Sequence, residues 1–207
     1  VRTAAAAIDP ARLRSWVGEA GIDARRRGLY GLLLGVVATA TRDPTESTAC
    51  VAALHRAISA PADDFRAGFD GLLAGVLVAE GERGLDFLRT LGLLGRTGRP
   101  LDQRHLLAAL RFAWDNLADT IPRPRIAAVT AELLSSPAVA ADATVDLARY
   151  QAWNVVPLVS QLWERLGGDD PLVRRAVAGY LAACPLPAAK RELERIRADR
   201  KSTRLNS

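Results

Sequence analysis

A stretch of nine residues recurs forty positions further along the chain, and this repeat constrains the fold more than any other feature. GLYGLLLGV at 28–36 aligns with GFDGLLAGV at 68–76, and six of the nine positions are identical. Three of those identical positions are glycines, and a more polar segment precedes each copy. A unit of about forty residues has the length of a helix–turn–helix pair that stacks on copies of itself.

The composition, and the residues that mark helix starts, predict that the chain is all-α. Aromatic residues make up only 5% of it, alanine and leucine are abundant, and no alternating run is bounded by hairpin turns. Asp-Pro pairs at 9–10, 43–44 and 170–171 predict helix starts, because the Asp oxygen accepts unpaired N–H groups and proline fits the first turn. We predict about eleven helices, at 9–20, 24–39, 44–59, 63–79, 82–94, 101–118, 123–135, 138–152, 155–166, 171–184 and 187–198.

Two of these helices carry continuous apolar stripes with helical spacing, and we expect every member of each stripe to be buried. The stripes are Val155, Leu158, Val159, Leu162, Trp163 and Leu166, and Val173, Ala176, Val177, Tyr180, Leu181 and Cys184. Because the connections are short, we expect successive helices to be antiparallel neighbours.

The segment DDPLVRRAVAGYL, 169–181, resembles the second helix of a HEAT-like repeat. The matching positions are Asp170, Val173, Arg174, Ala176 and Leu181. The resemblance to the HEAT-like (armadillo-type) family implies an α-solenoid of about five stacked antiparallel helical hairpins, a HEAT-like superhelix, over residues 1–198. It also implies that the Asp and Arg bond to neighbouring turns and repeats, while the apolar members fill the seam.

The last nine residues, DRKSTRLNS at 199–207, resemble a translated sequencing adapter. The codons GAT CGG AAG AGC ACA CGT CTG AAC TCC encode them in order. We therefore expect 199–207 to be an artefactual, non-native tail and 1–198 to be part of a longer chain. The tail contributes three basic residues to the formal net charge of +5, so this charge is a weak sign of an acidic partner. A signal peptide upstream of Val1 stays open, and the sequence does not fix the compartment.

The glycine-rich copies admit two further interpretations, which we do not favour. A phosphate-binding loop would need a preceding strand, but Asp23 and the three arginines after it read as a helix start. A membrane span needs about 18 apolar residues, whereas the uncharged run at 28–41 has 14 and its copy contains Asp70. We expect Gly31 and Gly35 to be contact points that let a neighbouring helix approach closely.

No group of residues has the spacing of a catalytic or metal-binding motif, and we predict no catalytic, cofactor-binding or metal-binding residue. His55 and His105 have no Cys or carboxylate at ligand spacing and are expected to be packing residues. Asp63 and Asp64 begin like an acidic metal motif that does not continue, so we expect helix caps. No GxSxG occurs, and Cys50 and Cys184 are not in a CxxC pair.

The three later tryptophans, Trp114, Trp153 and Trp163, could line a pocket, but we expect Trp163 and Trp114 in the core.

We therefore predict a soluble, non-catalytic scaffold or protein–protein interaction module, with another protein as partner, no cofactor and no membrane span. One alternative is a HEAT-like nucleic-acid-binding or base-repair module, although nucleic acid is not the partner we expect. It requires six arginines to converge on one concavity: Arg12, Arg25, Arg26, Arg27, Arg104 and Arg111. A third reading is a HEAT-like chromophore lyase, which needs a deep pocket with an acid–base pair. Partner identity and oligomeric state are not fixed by the sequence.

Overall fold

The protein is all-α. A computed structural model describes residues 9–19, 21–61, 66–96 and 98–205, of which 199–205 are described as backbone only. These described residues form eleven α-helices and two short 3₁₀ turns, and they contain no β-strand. The chain divides into two compact units, Val1–Ile126 and Ala127–Ser207.

The helices of the first unit follow the predicted order. They are α1 Pro10–Gly18, α2 Ala24–Ala40, α3 Pro44–Ser59, α4 Phe69–Glu80, α5 Glu82–Thr90 and α6 Pro100–Asn116. Helix α7, Arg123–Glu132, contains the boundary between the two units, which follows Ile126. Helix α1 contacts both α2 and α3, α2 contacts α4, and α4 contacts α6. Helices α1, α2 and α4 therefore each touch the helix two places further along the chain as well as the next helix in sequence.

Three of the helices begin at the predicted Asp-Pro pairs, which are confirmed as caps. The side chain of Asp9 accepts from the Ala11 amide, and Asp43 accepts from the Thr45 amide. Asp23, which precedes the arginine cluster, accepts from the Arg26 amide and caps α2. A carboxylate in this position satisfies one N–H that the helix itself leaves unpaired.

The closest helix pair of the first unit joins the two copies of the sequence repeat, α2 and α4. A Cβ atom added to Gly35 would overlap the Gly75 carbonyl and lie 2.8 Å from the Gly75 Cα, and one added to Gly75 would overlap the Gly31 carbonyl. Gly28 and Gly71 meet in the same way. The predicted close approach is confirmed, and its packing offsets the roughly 1 kcal/mol that each glycine costs in a helix relative to alanine.

The second unit contains the remaining helices, linked in places by 3₁₀ turns at Leu133–Ser135 and Trp153–Val155. They are α8 Ala140–Arg149, α9 Val156–Leu166, α10 Pro171–Ala183 and α11 Pro187–Leu205. Helix α8 contacts α10, and α9 contacts both α10 and α11. The contact between helices two places apart therefore recurs in this unit.

The residues that carry the HEAT-like resemblance hold the start of α10. The Asp170 carboxylate accepts from the amides of Leu172 at 2.8 Å and Val173 at 3.4 Å. Arg174 donates to the carbonyls of Gly167 and Gly168, both at 3.0 Å. Val173, Ala176 and Leu181 are buried. The charged pair thus fixes the preceding turn while the apolar members fill the core of the unit.

Two predicted helix limits are wrong because glycines with positive φ intervene. The helix predicted from residue 63 begins at Phe69, since Gly68 has φ 77° and precedes it as the cap. The helix predicted to reach residue 94 ends at Thr90, because Gly92 has φ 65°. An L side chain rarely adopts this left-handed region, so both positions break a helix.

Some predicted core positions are also wrong. The stripe from Val173 to Cys184 is buried throughout, but Leu158 in the other stripe is 46% exposed. Trp114 and Trp163, expected in the core, are only half-buried. Helical spacing identifies one face of a helix, but it does not show how far neighbouring helices cover that face.

Candidate functional site

A basic groove runs along the first unit between the α1–α2 turn and helix α3. It consists of two adjoining cavities of about 330 Å³ each, which share Arg27, Ala57 and Ala60. We call it the Arg27 groove. Its further lining residues are Arg14, Val17, Gly18, Gly21, Ile22, Ala24, Ala53, Arg56, Pro61, Arg66, Ala67, Phe69 and Leu72. Alanines make up much of the wall, and their small side chains leave the space between α1, α2 and α3 open.

The charge of the Arg27 groove is strongly one-sided. Four arginines line it, and no acidic residue is among the described lining residues. Arg14 is paired with Glu46 outside the cavities. Arg66 donates to the Ile58 and Ala60 carbonyls and lies 3.5 Å from Asp102.

Burial lowers the pKa of the Arg66 guanidinium, and the negative charge of Asp102 acts against that shift. The acid is 3% exposed. These contacts fix Arg66 as part of the groove wall.

The other two arginines of the groove have donors to spare. Arg27 donates through Nη2 to the Glu19 carbonyl at 2.7 Å, while its buried Nε has no hydrogen-bond partner among the described residues. Arg56 is exposed in the last turn of α3 and makes no hydrogen bond or ion pair within the described part of the chain. A guanidinium carries five N–H donors in a planar fork, so both side chains can bind a carboxylate or phosphate.

A second groove lies in the second unit, and we call it the Trp163 groove. Its volume is about 530 Å³, and its lining residues are Trp163, Pro171, Arg174, Arg175, Ala178, Leu193, Ile196 and Arg197. Trp163 thus does line a pocket, one of the two interpretations that the sequence allowed. Arg174 is engaged with the turn before α10, as described above.

Both predicted packing histidines pair with carboxylates that are remote in the sequence. His55 Nε2 lies 2.6 Å from Glu80 Oε2, and its ring stacks on Phe87 with centroids 3.8 Å apart. His105 Nδ1 lies 3.1 Å from Asp70 Oδ1. Neither pair lines the cavities described here, and each contact joins two helices.

The two cysteines, Cys50 and Cys184, do not form a disulfide with each other. Both are free and buried. Burial raises the pKa of the Cys50 thiol, and the neighbouring Arg14 partly opposes that shift.

Metal ligands and membrane helices are not found in the described part of the chain. No three His, Cys, Asp or Glu side chains there are arranged to hold a metal ion. Asp63 and Asp64 lie outside the described residues. None of the described helices has the length and apolar character needed to cross a bilayer.

The arginines of the nucleic-acid alternative occupy several places in the first unit. Of the six, Arg27 lines the two cavities of the Arg27 groove, and the other five are not among the described lining residues of that groove. Arg12 lies over the Trp16 ring, 4.7 Å from its centroid, and Arg25 and Arg26 are exposed at the start of α2. Arg104 and Arg111 lie on α6. Two of the four groove arginines, Arg56 and Arg66, were not singled out from the sequence.

Comparison of the chain with protein-family models, with curated proteins and with solved structures gave no significant match.

Proposed function

We propose that the chain is a non-catalytic helical-repeat module, an α-solenoid of about five stacked antiparallel hairpins, that binds another protein. The observation that carries the proposal is the contact of helices two places apart, α2 with α4 and α4 with α6 in one unit and α8 with α10 in the other. Stacked repeats bring equivalent helices together in this way, and they present rows of side chains to a partner.

Histidines and carboxylates could act in catalysis, but the polar contacts of the described residues support a structural role for them. His55 with Glu80 joins α3 to α4, and His105 with Asp70 joins α6 to α4. Asp170 and Arg174 hold the turn before α10. The Arg27 groove, by contrast, combines two guanidinium groups that retain free donors, Arg27 and Arg56, with apolar walls, which is the composition expected of a surface that recognises a polypeptide.

Selection from a random peptide library on the immobilised, purified chain tests this function. We expect enrichment of peptides that share a sequence pattern and bind the folded chain in solution. The same chain unfolded by heat is the control and should retain none of them. A library that yields no peptide above this control would contradict the proposal.

A further inference from the structure

We propose that the Arg27 groove binds an extended acidic peptide segment that also carries aliphatic side chains. This inference rests on the proposed function and specifies its partner. The occupant follows from charge complementarity: the described lining residues include four arginines and no acid, so this part of the wall presents positive charge to a carboxylate.

Two of the four guanidinium groups provide the anchor. Arg27 is half-buried between the two cavities, and Arg56 is exposed beside the cavity that Arg14 and Val17 line. Since Arg14 and Arg66 are already engaged with Glu46 and Asp102, a ligand carboxylate would bind chiefly to Arg27 and Arg56. Hydrogen bonds between guanidinium and carboxylate are charge-assisted and frequently bidentate.

The apolar part of the groove favours a ligand that carries aliphatic side chains as well as carboxylates. Ala57 and Ala60, which both cavities share, are half-buried and exposed, and Ile22, Pro61 and Ala67 add accessible apolar surface to the cavity beside the α1–α2 turn. These surfaces suit the aliphatic side chains that alternate with the acidic ones along an extended peptide. Each cavity has the volume at which small ligand pockets begin, about 300 Å³.

The same walls disfavour a single-stranded nucleic acid, which would need aromatic faces for its bases. Phe69 is the one aromatic residue among the described lining residues, and it is 3% exposed. The Arg66 guanidinium covers its ring at 4.1 Å from the centroid. Among the described lining residues, a base therefore finds no open aromatic face on which to stack.

Fluorescence anisotropy with three labelled probes tests the proposal on the intact chain. The first probe is a peptide of about twelve residues in which glutamate and aspartate are interspersed with leucine, long enough to extend along both cavities. The second is the same peptide with glutamine and asparagine at the acidic positions, and the third is a thymidine oligonucleotide of similar length. We expect the acidic peptide to bind, the neutral one to bind at least about tenfold more weakly, and binding to weaken as salt is added.

Matched charge reversals locate the site. Arg56→Glu should weaken binding of the acidic peptide by about tenfold or more, because it replaces an anchor by a repelling charge. Arg83→Glu makes the same change in net charge at an exposed arginine of α5 that lines none of the described cavities, and it should alter Kd by less than about twofold. Ala57→Phe fills the point shared by the two cavities and should abolish binding without changing the charge.

Equal losses in Arg56→Glu and Arg83→Glu, no binding of the acidic peptide, or tighter binding of the oligonucleotide would overturn the groove proposal. These failures are distinguishable from failure of the proposed function. Peptides selected from the library that bind Arg56→Glu as well as the parent chain would leave the interaction module standing and place its surface elsewhere. Circular dichroism of each variant confirms that the helices are retained.

Discussion

Gly35 and Gly75 touch at a point where the backbone of one helix occupies the space of the other's missing side chain. Gly35→Ala would drive its Cβ into the Gly75 carbonyl. Gly31→Leu would add a branched chain at a position where even the Cβ would lie 2.5 Å from the Leu72 Cδ2. We expect the free energy of unfolding to fall by about 1–3 kcal/mol for the alanine variant and by more for leucine. Urea unfolding followed by circular dichroism measures this.

Gly179→Ala is the matched control, because a Cβ at Gly179 meets nothing within 4 Å and the residue lies inside α10. There the alanine should raise stability by about 0.5–1 kcal/mol, because it reduces the conformational freedom of the unfolded chain. If Gly35→Ala were as stable as Gly179→Ala, the close-packing explanation of the repeat would be wrong.

Tyr180 gives a second prediction for a single side chain. It is 1% exposed, and its hydroxyl donates to the Ala152 carbonyl at 2.7 Å. Tyr180→Phe leaves the Ala152 carbonyl with only the longer bond from the Val155 amide, at 3.4 Å, so we expect a loss of about 0.5–1.5 kcal/mol in the free energy of unfolding at neutral pH. A chain that unfolds at the parent's urea concentration would show that this hydrogen bond contributes nothing to stability.

The stability of the parent chain should also depend on pH through this phenol. Burial, and to a lesser extent Cys184, raises the pKa of Tyr180 above the usual tyrosine value of 10. The unfolded chain releases the proton near pH 10 and the folded chain retains it, so the stabilisation is complete below pH 10 and declines as the pH rises further. Between about pH 9 and 11, the parent should lose its stability advantage over Tyr180→Phe, at up to about 1.4 kcal/mol per pH unit. If the difference in unfolding free energy between the parent and Tyr180→Phe stayed constant over this range, the raised pKa of Tyr180 would be contradicted.

For the helices, the sequence predicts the first residue of a helix better than the last. Asp9, Asp43 and Asp170 act within three residues of themselves, so a local pattern suffices to identify them. The delayed start of α4 depends on the positive φ of Gly68, and a Cβ there would overlap the Ala24 carbonyl. That constraint comes from the neighbouring helix, so it cannot be predicted from the helix propensities of the residues near Gly68.

Helix α10 allows the contribution of a cap to be measured. Asp170→Ala removes the acceptor for the Leu172 and Val173 amides and should lower the free energy of unfolding by about 1 kcal/mol. Asp170→Asn keeps a side-chain oxygen in the same place and should retain most of that stability. Urea unfolding of both variants separates the hydrogen bond from other effects, and equal losses would show that the cap oxygen is not the cause.

Across the molecule, the all-α fold and the pairing of α2 with α4 could be predicted, because caps and a forty-residue repeat are visible in the sequence. The site could not. His55 and Glu80 are 25 residues apart, and His105 and Asp70 are 35 apart, so their contacts depend on which helices meet. The Arg27 groove collects residues from α1 to α4, and the sequence singled out Arg27 but not Arg56.

The central claim is that the two copies of the repeat stack directly on each other. Nuclear Overhauser spectroscopy on the isotopically labelled chain tests it most directly, by measuring contacts between the α protons of glycines in α2 and α4. Because Gly35 and Gly75 meet at backbone contact, as do Gly28 and Gly71, we predict a strong cross-peak for each pair. Absence of both cross-peaks in a folded, assigned chain would contradict the stacking of the repeats.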